Sequence, residues 1–369
     1  MATAPSESPG LRHIRHAHDS GANILGGRLS DREAREELED ALLAPGATRG
    51  IGAGDRARPE TPDPVRTCFE RDRDRILHSS AFRRLAGKTQ VFVHPEDHQR
   101  TRLTHALEVA QVATAISAAV GANVALTEAI ALGHDCGHGP GGHPSEDAFS
   151  QYVEGGYDHA VWGADVALTP LNLCAETLDG IRNHSWSRPL PSTPEGEIVS
   201  WADRIAYVCH DMEDACDVGI VTDEMLPPVV LQRCGNGRSE RLRSFIGGVV
   251  EAVSLTGEIG MSEPMAEALA EFRAFNYERI YMRPASVEQS RSVIRVLQAL
   301  VEHYADRPDS LHDSQSPCAD RGRSVDIRPG SPEAYRASVT WVGGMTDRYA
   351  FNLARNVLGW HDSDLPRGI

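Results

Sequence analysis

Several things are scarce in this sequence, and their scarcity excludes whole classes of protein. Cysteine is used seven times, an odd number, and never as C-x-x-C, so neither a disulfide framework nor a thiolate zinc site is suggested and a reducing cytoplasm fits best. The N-terminus, MATAPSESPGLRHIRHAHDSG, lacks the apolar stretch of a secretory signal. No unbroken apolar run reaches membrane length: the nearest, Val112 to Leu132, contains Asn123, Glu128 and a break at Gly121, which reads as two buried helices rather than a span. Net positive charge is missing as well, the formal balance being -16. That argues against a general binder of nucleic acid or membrane surfaces unless basic residues cluster locally. Aromatics are sparse at 6%, although 40% hydrophobic content over 369 residues still suffices for a core. Neither a fixed-period repeat nor a series of strands is visible, so the predicted fold is all-α.

What is present concentrates in Ala131 to Glu146, ALGHDCGHGPGGHPSE, where three histidines and two carboxylates sit among five glycines and two prolines. An apolar run from Val124 to Leu132 delivers His134 and Asp135 together at its end. Beyond it, Gly137, Gly139, Gly141 and Gly142 let the chain approach a ligand closely. Imidazole and carboxylate are ligands of borderline and hard divalent metals, so an adjacent His-Asp at a helix end can place both on one ion. By itself the pair is weak, and the bland alternative is a glycine-rich loop with solvated histidines.

Partners are found elsewhere. Leu103 to Val120 reads as a helix with His105, Val109, Val112 and Ile116 on one face, which points His105 inward, where packed helices can build a metal site. Glu197 to Cys216 is the clearest long helix; its apolar stripe runs through Ile198, Trp201, Ile205, Val208 and Met212. Asp203, Tyr207, His210, Asp211 and Asp214 share a different face, better read as lining a cleft than as solvated. Arg71 to Arg102 forms the one basic island and suits a polyanion such as a phosphate chain, with local ion pairing as the alternative for Arg71 to Arg75. Gln90 to His94 alternates weakly, as in a short strand. Further helices are predicted over Thr177 to His184, Arg241 to Leu255, Ser262 to Met282, Ser286 to Tyr304 and Pro332 to Leu358. The organisation predicted is a largely flexible arm over 1–64, a principal domain over 65–305, a flexible linker over 306–330 and a helical extension over 331–369 packing back on that domain.

The order His105, His134-Asp135, Asp203 resembles the H…HD…D signature of the HD phosphohydrolase superfamily. More specifically, RDRDRILHSSAFRRLAGKTQVF (Arg71 to Phe92), RTRLTHALEVA (Arg100 to Ala110), HDCGHGPGGHPSE, ADRIAYVCHDMEDA (Ala202 to Ala215) and GMTDRYA (Gly344 to Ala350) resemble the bacterial deoxyguanosine triphosphate triphosphohydrolases and their dNTPase-like relatives. Several long motifs in order make the similarity specific. The resemblance implies the HD-domain helical fold with additional C-terminal helices. It implies metal ligation by His105, His134, Asp135 and Asp203, with Mn²⁺ or Mg²⁺ as leading ions and Fe²⁺ as a third candidate. His143 and Glu146 match the catalytic histidine and its acidic partner. His138 and Arg102 match phosphate contacts, Gln90 a deoxynucleoside contact, Tyr207 and Asp211 sugar-side contacts, and Tyr281 a tyrosine that closes on the sugar. The activity implied is hydrolysis of a dNTP, dGTP or a related one, to deoxynucleoside and triphosphate. Another HD phosphohydrolase, a nucleotidase or phosphodiesterase, and a regulatory HD protein that binds nucleotide or nucleic acid are the alternatives. Implied partners are the dNTP and further copies of the chain, with a nucleotide activator or single-stranded DNA as additional candidates and no membrane. The chain departs from the family at Gly141-Gly142, where many relatives have Phe-Gly, and at Ala160 and Asp165, where relatives often have Asn and Arg.

Overall fold

The structure, a computed structural model, describes residues 30–95, 98–311 and 327–367. Among these residues the architecture is helical, with two isolated β-bridges, Arg56 with Cys174 and Thr89 with Thr101, and no strand. The strand expected at Gln90 to His94 is therefore absent. The segment runs as bends just beyond the Thr89–Thr101 bridge, with Gln90 and Val91 half-buried, Phe92 and Val93 buried and His94 exposed, so burial along it does not alternate.

The centre of the fold is a helix pair, Arg102–Val120 and Val124–Gly133, packed against the long helix Pro194–Asp217 and flanked by Cys68–His78. Sequence chemistry sets each boundary. Gly121 ends the first helix with a φ of 75°, a left-handed conformation that favours glycine. Asn123 accepts the Leu126 N–H and starts the second helix two residues later. Thr193 caps the long helix, with Pro194 at its first position, and Thr67 with Glu70 forms a capping box on Cys68–His78. Val109, Val112 and Ile116 are buried beside Leu126, Ile130, Ile198, Ile205 and Val208 in one apolar core. Arg102–Val120 is long and apolar enough to cross a membrane by composition, but here it is the packed centre of this core.

A second core joins the C-terminal helices Pro284–Asp306, Pro332–Gly343 and Asp347–Leu358 to the short helix Pro144–Ser150 through Val293, Leu297, Val339, Phe351 and Phe149. The single helix expected over Pro332 to Leu358 is thus two. Thr346 accepts the Tyr349 N–H and begins a fresh helix just after the Gly343-Gly344 step.

Of the stretch expected to form an N-terminal arm, residues 1–29 lie outside the described residues, and residues 30–64 are tied to the domain. Thr48 donates its backbone N–H and its hydroxyl to Glu195, and Arg56 is buried against Asp72. Most of the expected 306–330 linker also lies outside the described residues. The basic island is largely consumed by internal pairs: Arg71 and Arg75 with Glu60, Arg73 with Asp74 and Glu128, and Arg100 with Glu108, Glu213 and Asp214. Ion pairing therefore reaches beyond Arg71 to Arg75. The six described cysteines are free thiols.

Candidate active site

His105, one turn into its helix, and Asp203, at the middle of the long helix, meet with His105 Nε2 3.1 Å from Asp203 Oδ1. His134 caps the end of Val124–Gly133, and its Nδ1–H donates to the carbonyl of Ala131 at 2.7 Å. That bond fixes the tautomer and leaves the lone pair on Nε2. His134 Nε2 has no hydrogen-bond partner, yet stands 3.4 Å from Asp135 Oδ1 and 3.8 Å from Asp203 Oδ1. His105, His134 and Asp203 each offer a ligand atom within 4.8 Å of the others. A bare, buried imidazole nitrogen facing two carboxylates is costly unless a cation shares it, so the donor set fits a divalent ion.

The glycine loop that follows is clamped from three sides. Asp347, at the start of a C-terminal helix, accepts the Gly141 N–H at 2.8 Å through one oxygen and both Thr89 donors through the other. Lys88, buried, donates to the carbonyls of His138 and Gly343. At Gly137 the backbone of the next segment arrives so closely that a Cβ would lie 2.0 Å from the His159 carbonyl oxygen. Only glycine permits that approach.

Several expected residues are brought together differently from the expected pairing. Glu146 was expected to orient His143. Instead its Oε1 accepts from His159, at 2.6 Å from Nδ1 and 2.9 Å from the backbone N–H, because Gly137 lets that segment dock. Burial would raise the Glu146 carboxyl, but the His159 hydrogen bond overrides it and holds it at about 2. His143 is exposed, its Nδ1 3.4 Å from Arg102 Nη2. Loss of hydration and the nearby Arg102 guanidinium push its imidazole down to about 4. His138 is buried and stacked on His159, ring centroids 3.7 Å apart. Arg102 is also buried, with one arm donating to Asp135 Oδ2 at 2.7 Å and its Nε without a partner.

Farther along the long helix, Tyr207 accepts from Arg273 Nε at 3.0 Å. The Tyr281 hydroxyl donates to Asp211 Oδ2, while Asp211 Oδ1 has no partner. Burial pushes the Asp211 carboxyl up to about 7. Gln90 is half-buried, and its Oε1 is likewise unpartnered. Sequence reasoning missed His159, His184, Arg204 and Asp347. Arg204 neighbours Asp203, lies 3.4 Å over the Trp186 ring and has an unpartnered Nε. The available signal was position: Arg204 and Asp347 stand inside motifs already singled out, and His159 stands in the YDHAVW segment where the chain departs from its relatives.

A helical core that brings His105, His134 and Asp203 together, with Asp135 beside His134, is the arrangement of an HD-type phosphohydrolase. Residues 102–208 match the HD domain family, and residues 259–356 match the phosphohydrolase-associated domain. A deoxyguanosinetriphosphate triphosphohydrolase-like protein of Caldanaerobacter subterraneus subsp. tengcongensis is 40% identical over 327 residues, covering 86% of this chain and 93% of that one. A protein of the same description from Clostridium perfringens strain 13 is 37% identical over 343 residues, covering 87% and 95%. The crystal structure of a hypothetical protein from Aquifex aeolicus aligns with a TM-score of 0.45 at 17% identity, over 79% of this chain and 72% of that one. The chain belongs to the deoxyguanosinetriphosphate triphosphohydrolase-like family and is a hydrolase of the HD class.

Proposed function

We propose that the protein hydrolyses a deoxynucleoside triphosphate to the deoxynucleoside and triphosphate. One observation carries the reading: buried polar atoms of both kinds, donors and acceptors, stand unpartnered around the site. Arg102 Nε and Arg204 Nε are donors, whereas Gln90 Oε1 and Asp211 Oδ1 are acceptors. Buried polar atoms are normally satisfied, and a molecule that carries both phosphate oxygens and hydroxyl or N–H donors satisfies both kinds.

His105, His134, Asp135 and Asp203 would hold the divalent ion, for which Mn²⁺, Mg²⁺ and Fe²⁺ suit the mixed imidazole and carboxylate set. When bound, such an ion polarises a phosphoryl oxygen and lowers the pKa of water. The chain supplies the rest. Arg102, Arg204 and His138 bind the phosphate chain and offset charge that a protein of net -16 would otherwise repel. Gln90, Tyr207, Asp211 and Tyr281 orient the deoxynucleoside, so that water meets the α-phosphorus in line with the departing 5′ oxygen. His143, the neutral imidazole of the loop, acts in the proton transfer that hydrolysis requires, in which the attacking water loses a proton and the departing 5′ oxygen gains one. Glu146 acts through His159, holding that ring rather than His143. The family relation also supports a homo-oligomer, which light scattering tests.

Incubating purified protein with each dNTP and Mn²⁺ decides the matter. Triphosphate and deoxynucleoside in equal amounts are expected. Pyrophosphate or orthophosphate released alongside a nucleotide would reject the reading.

A further inference from the structure

The helix Ala175–Asn183 is joined to the long helix Pro194–Asp217 by a proline-rich loop, residues 184–193, whose first residue, His184, is buried with its ring 5.0 Å from that of His134. Two residues on stands Trp186, half-exposed but fixed in place. Its Nε1–H donates to the Ser200 carbonyl at 3.0 Å, and the Trp201 ring packs against it at 76°, centroids 4.7 Å apart. The loop that carries it is pinned at both ends. The Arg188 N–H closes a turn on the Ser185 carbonyl at 2.9 Å, and Ser192 donates its N–H and its hydroxyl to Asp179 Oδ2 at 2.6 and 2.7 Å. Between these ties Pro189 and Pro191 restrict the backbone further.

One face of that fixed ring carries Arg204, its guanidinium carbon 3.4 Å from the ring centroid. At that distance the two groups are in van der Waals contact, and the ring quadrupole attracts the cation without using any of its N–H donors. Arg204 forms no ion pair among the described residues, and its Nε is buried without a partner. Arg71, Arg75 and Arg100 are treated differently, each being bound to carboxylates. In a chain of net charge -16, an arginine held by an aromatic face and by no acid keeps its charge and its donors for an anion from outside. An arginine loses much rotamer freedom when it grips an anion, and a surface that fixes the side chain beforehand removes part of that cost.

We propose that Trp186 is a positioning residue for the phosphate chain: its ring face holds the Arg204 guanidinium where the free donors meet phosphate oxygens. The inference rests on the reading of Arg204 as a phosphate ligand and adds the residue through which that ligand is set. Trp186 touches no reacting atom in this role, so its whole contribution passes through Arg204. Removing the ring should therefore matter only while the arginine is there.

A double-mutant cycle on full-length, Mn²⁺-loaded protein tests this, with inorganic triphosphate as the probe and calorimetric titration as the measurement. Trp186→Leu, which keeps apolar bulk but no ring, should weaken triphosphate binding about threefold to tenfold, the scale of a cation–π contact. Trp186→Phe should keep most of the affinity, because it restores a flat aromatic face while losing the same bond to Ser200 as the leucine variant. In an Arg204→Gln background, Trp186→Leu should cause no further loss. Should Trp186→Leu fail to fold by circular dichroism, Trp186→Gln takes its place in both backgrounds. Equal losses for Phe and Leu, or the same loss with and without Arg204, would overturn the proposal and leave Trp186 a packing residue. A native chain that binds no triphosphate would overturn the phosphate role of Arg204 as well, so the two failures are distinct.

Discussion

Arg56 and Asp72 have side chains 1% and 0% exposed, and His134 and Asp135 are at 1% and 4%, yet their surroundings treat the two pairs in opposite ways. Around Arg56 every nitrogen donates: Nε to the Ala53 carbonyl, one arm to Asp72 and the Asn172 carbonyl, the other to the Cys68 carbonyl. Asp72 accepts in addition from the Cys174 N–H and the Thr177 hydroxyl, each at 2.8 Å. Around His134 the account does not close, since His134 Nε2, both His138 nitrogens, His105 Nδ1 and Arg102 Nε have no partners. Burial and charge alone therefore do not mark a site. A buried ionic group whose hydrogen bonds are complete ties segments together, here the 44–58 stretch to the domain. One whose bonds are incomplete is held ready for something absent from the chain itself.

The comparison breaks most visibly if a residue from each region is removed and the same two quantities are measured. Asp203→Ala should abolish bound metal and lower turnover by about 10³-fold or more, since metal polarisation is worth several kcal/mol, while leaving the melting temperature of the metal-free protein nearly unchanged. Retention of a full complement of metal with normal kcat would sink the assignment. Arg56→Ala should do the reverse. Losing one partner of a buried pair costs about 3–5 kcal/mol, read as a lower melting temperature, with metal content and kcat per folded molecule intact. A kcat loss exceeding the unfolded fraction would show that the two regions are not separable.

How much of this contrast was legible in the sequence depends on range. The helices were, because their apolar spacing and caps are local: Arg102–Val120 and Pro194–Asp217 lie within three residues of the predicted bounds. The H…HD…D order was legible through the family resemblance, with apolar spacing turning His105 inward on its helix and His134-Asp135 following directly after Val124–Gly133. Pairings were not. Glu146 stands three residues from His143 and thirteen from His159, and only the backbone approach at Gly137 hands it to the second. The basic island misled for a related reason: Glu60, Glu108 and Glu213 are distant in sequence from most of the arginines they neutralise.

Two smaller effects sharpen the division within the site. His143→Ala should cost about 10²-fold in turnover, the low end for general acid-base catalysis, with metal content and melting temperature preserved. A fully active variant would return the proton-transfer role to another group. Gln90→Ala should change the ratio of kcat/KM among the four dNTPs by about tenfold, the scale of one lost polar contact. Arg204→Ala, acting on phosphate, should weaken all four alike. Equal losses for both variants across all substrates would erase the distinction between the phosphate end and the nucleoside end.

Asp211 lies between the two kinds of region, since Tyr281 satisfies one carboxyl oxygen and nothing satisfies the other. Burial lifts its pKa to about 7, against an ordinary value near 3.8. Between roughly pH 4 and 7 the folded chain thus keeps a proton there that the unfolded chain has released. Stability from this group is fully present below the lower value and is lost as pH rises through the upper one. Asp211→Asn removes the titration, so the difference in melting temperature between variant and native chain should move in the variant's favour from pH 5 to pH 8. Substrate reverses the sense of the demand, because a sugar hydroxyl donating to Oδ1 favours the carboxylate. In the native enzyme KM should therefore rise as pH falls below 7, and in Asp211→Asn it should be higher but flat. A melting difference independent of pH, together with parallel KM profiles, would mean that Asp211 is satisfied in solution and belongs with Arg56 and Asp72 rather than with the site.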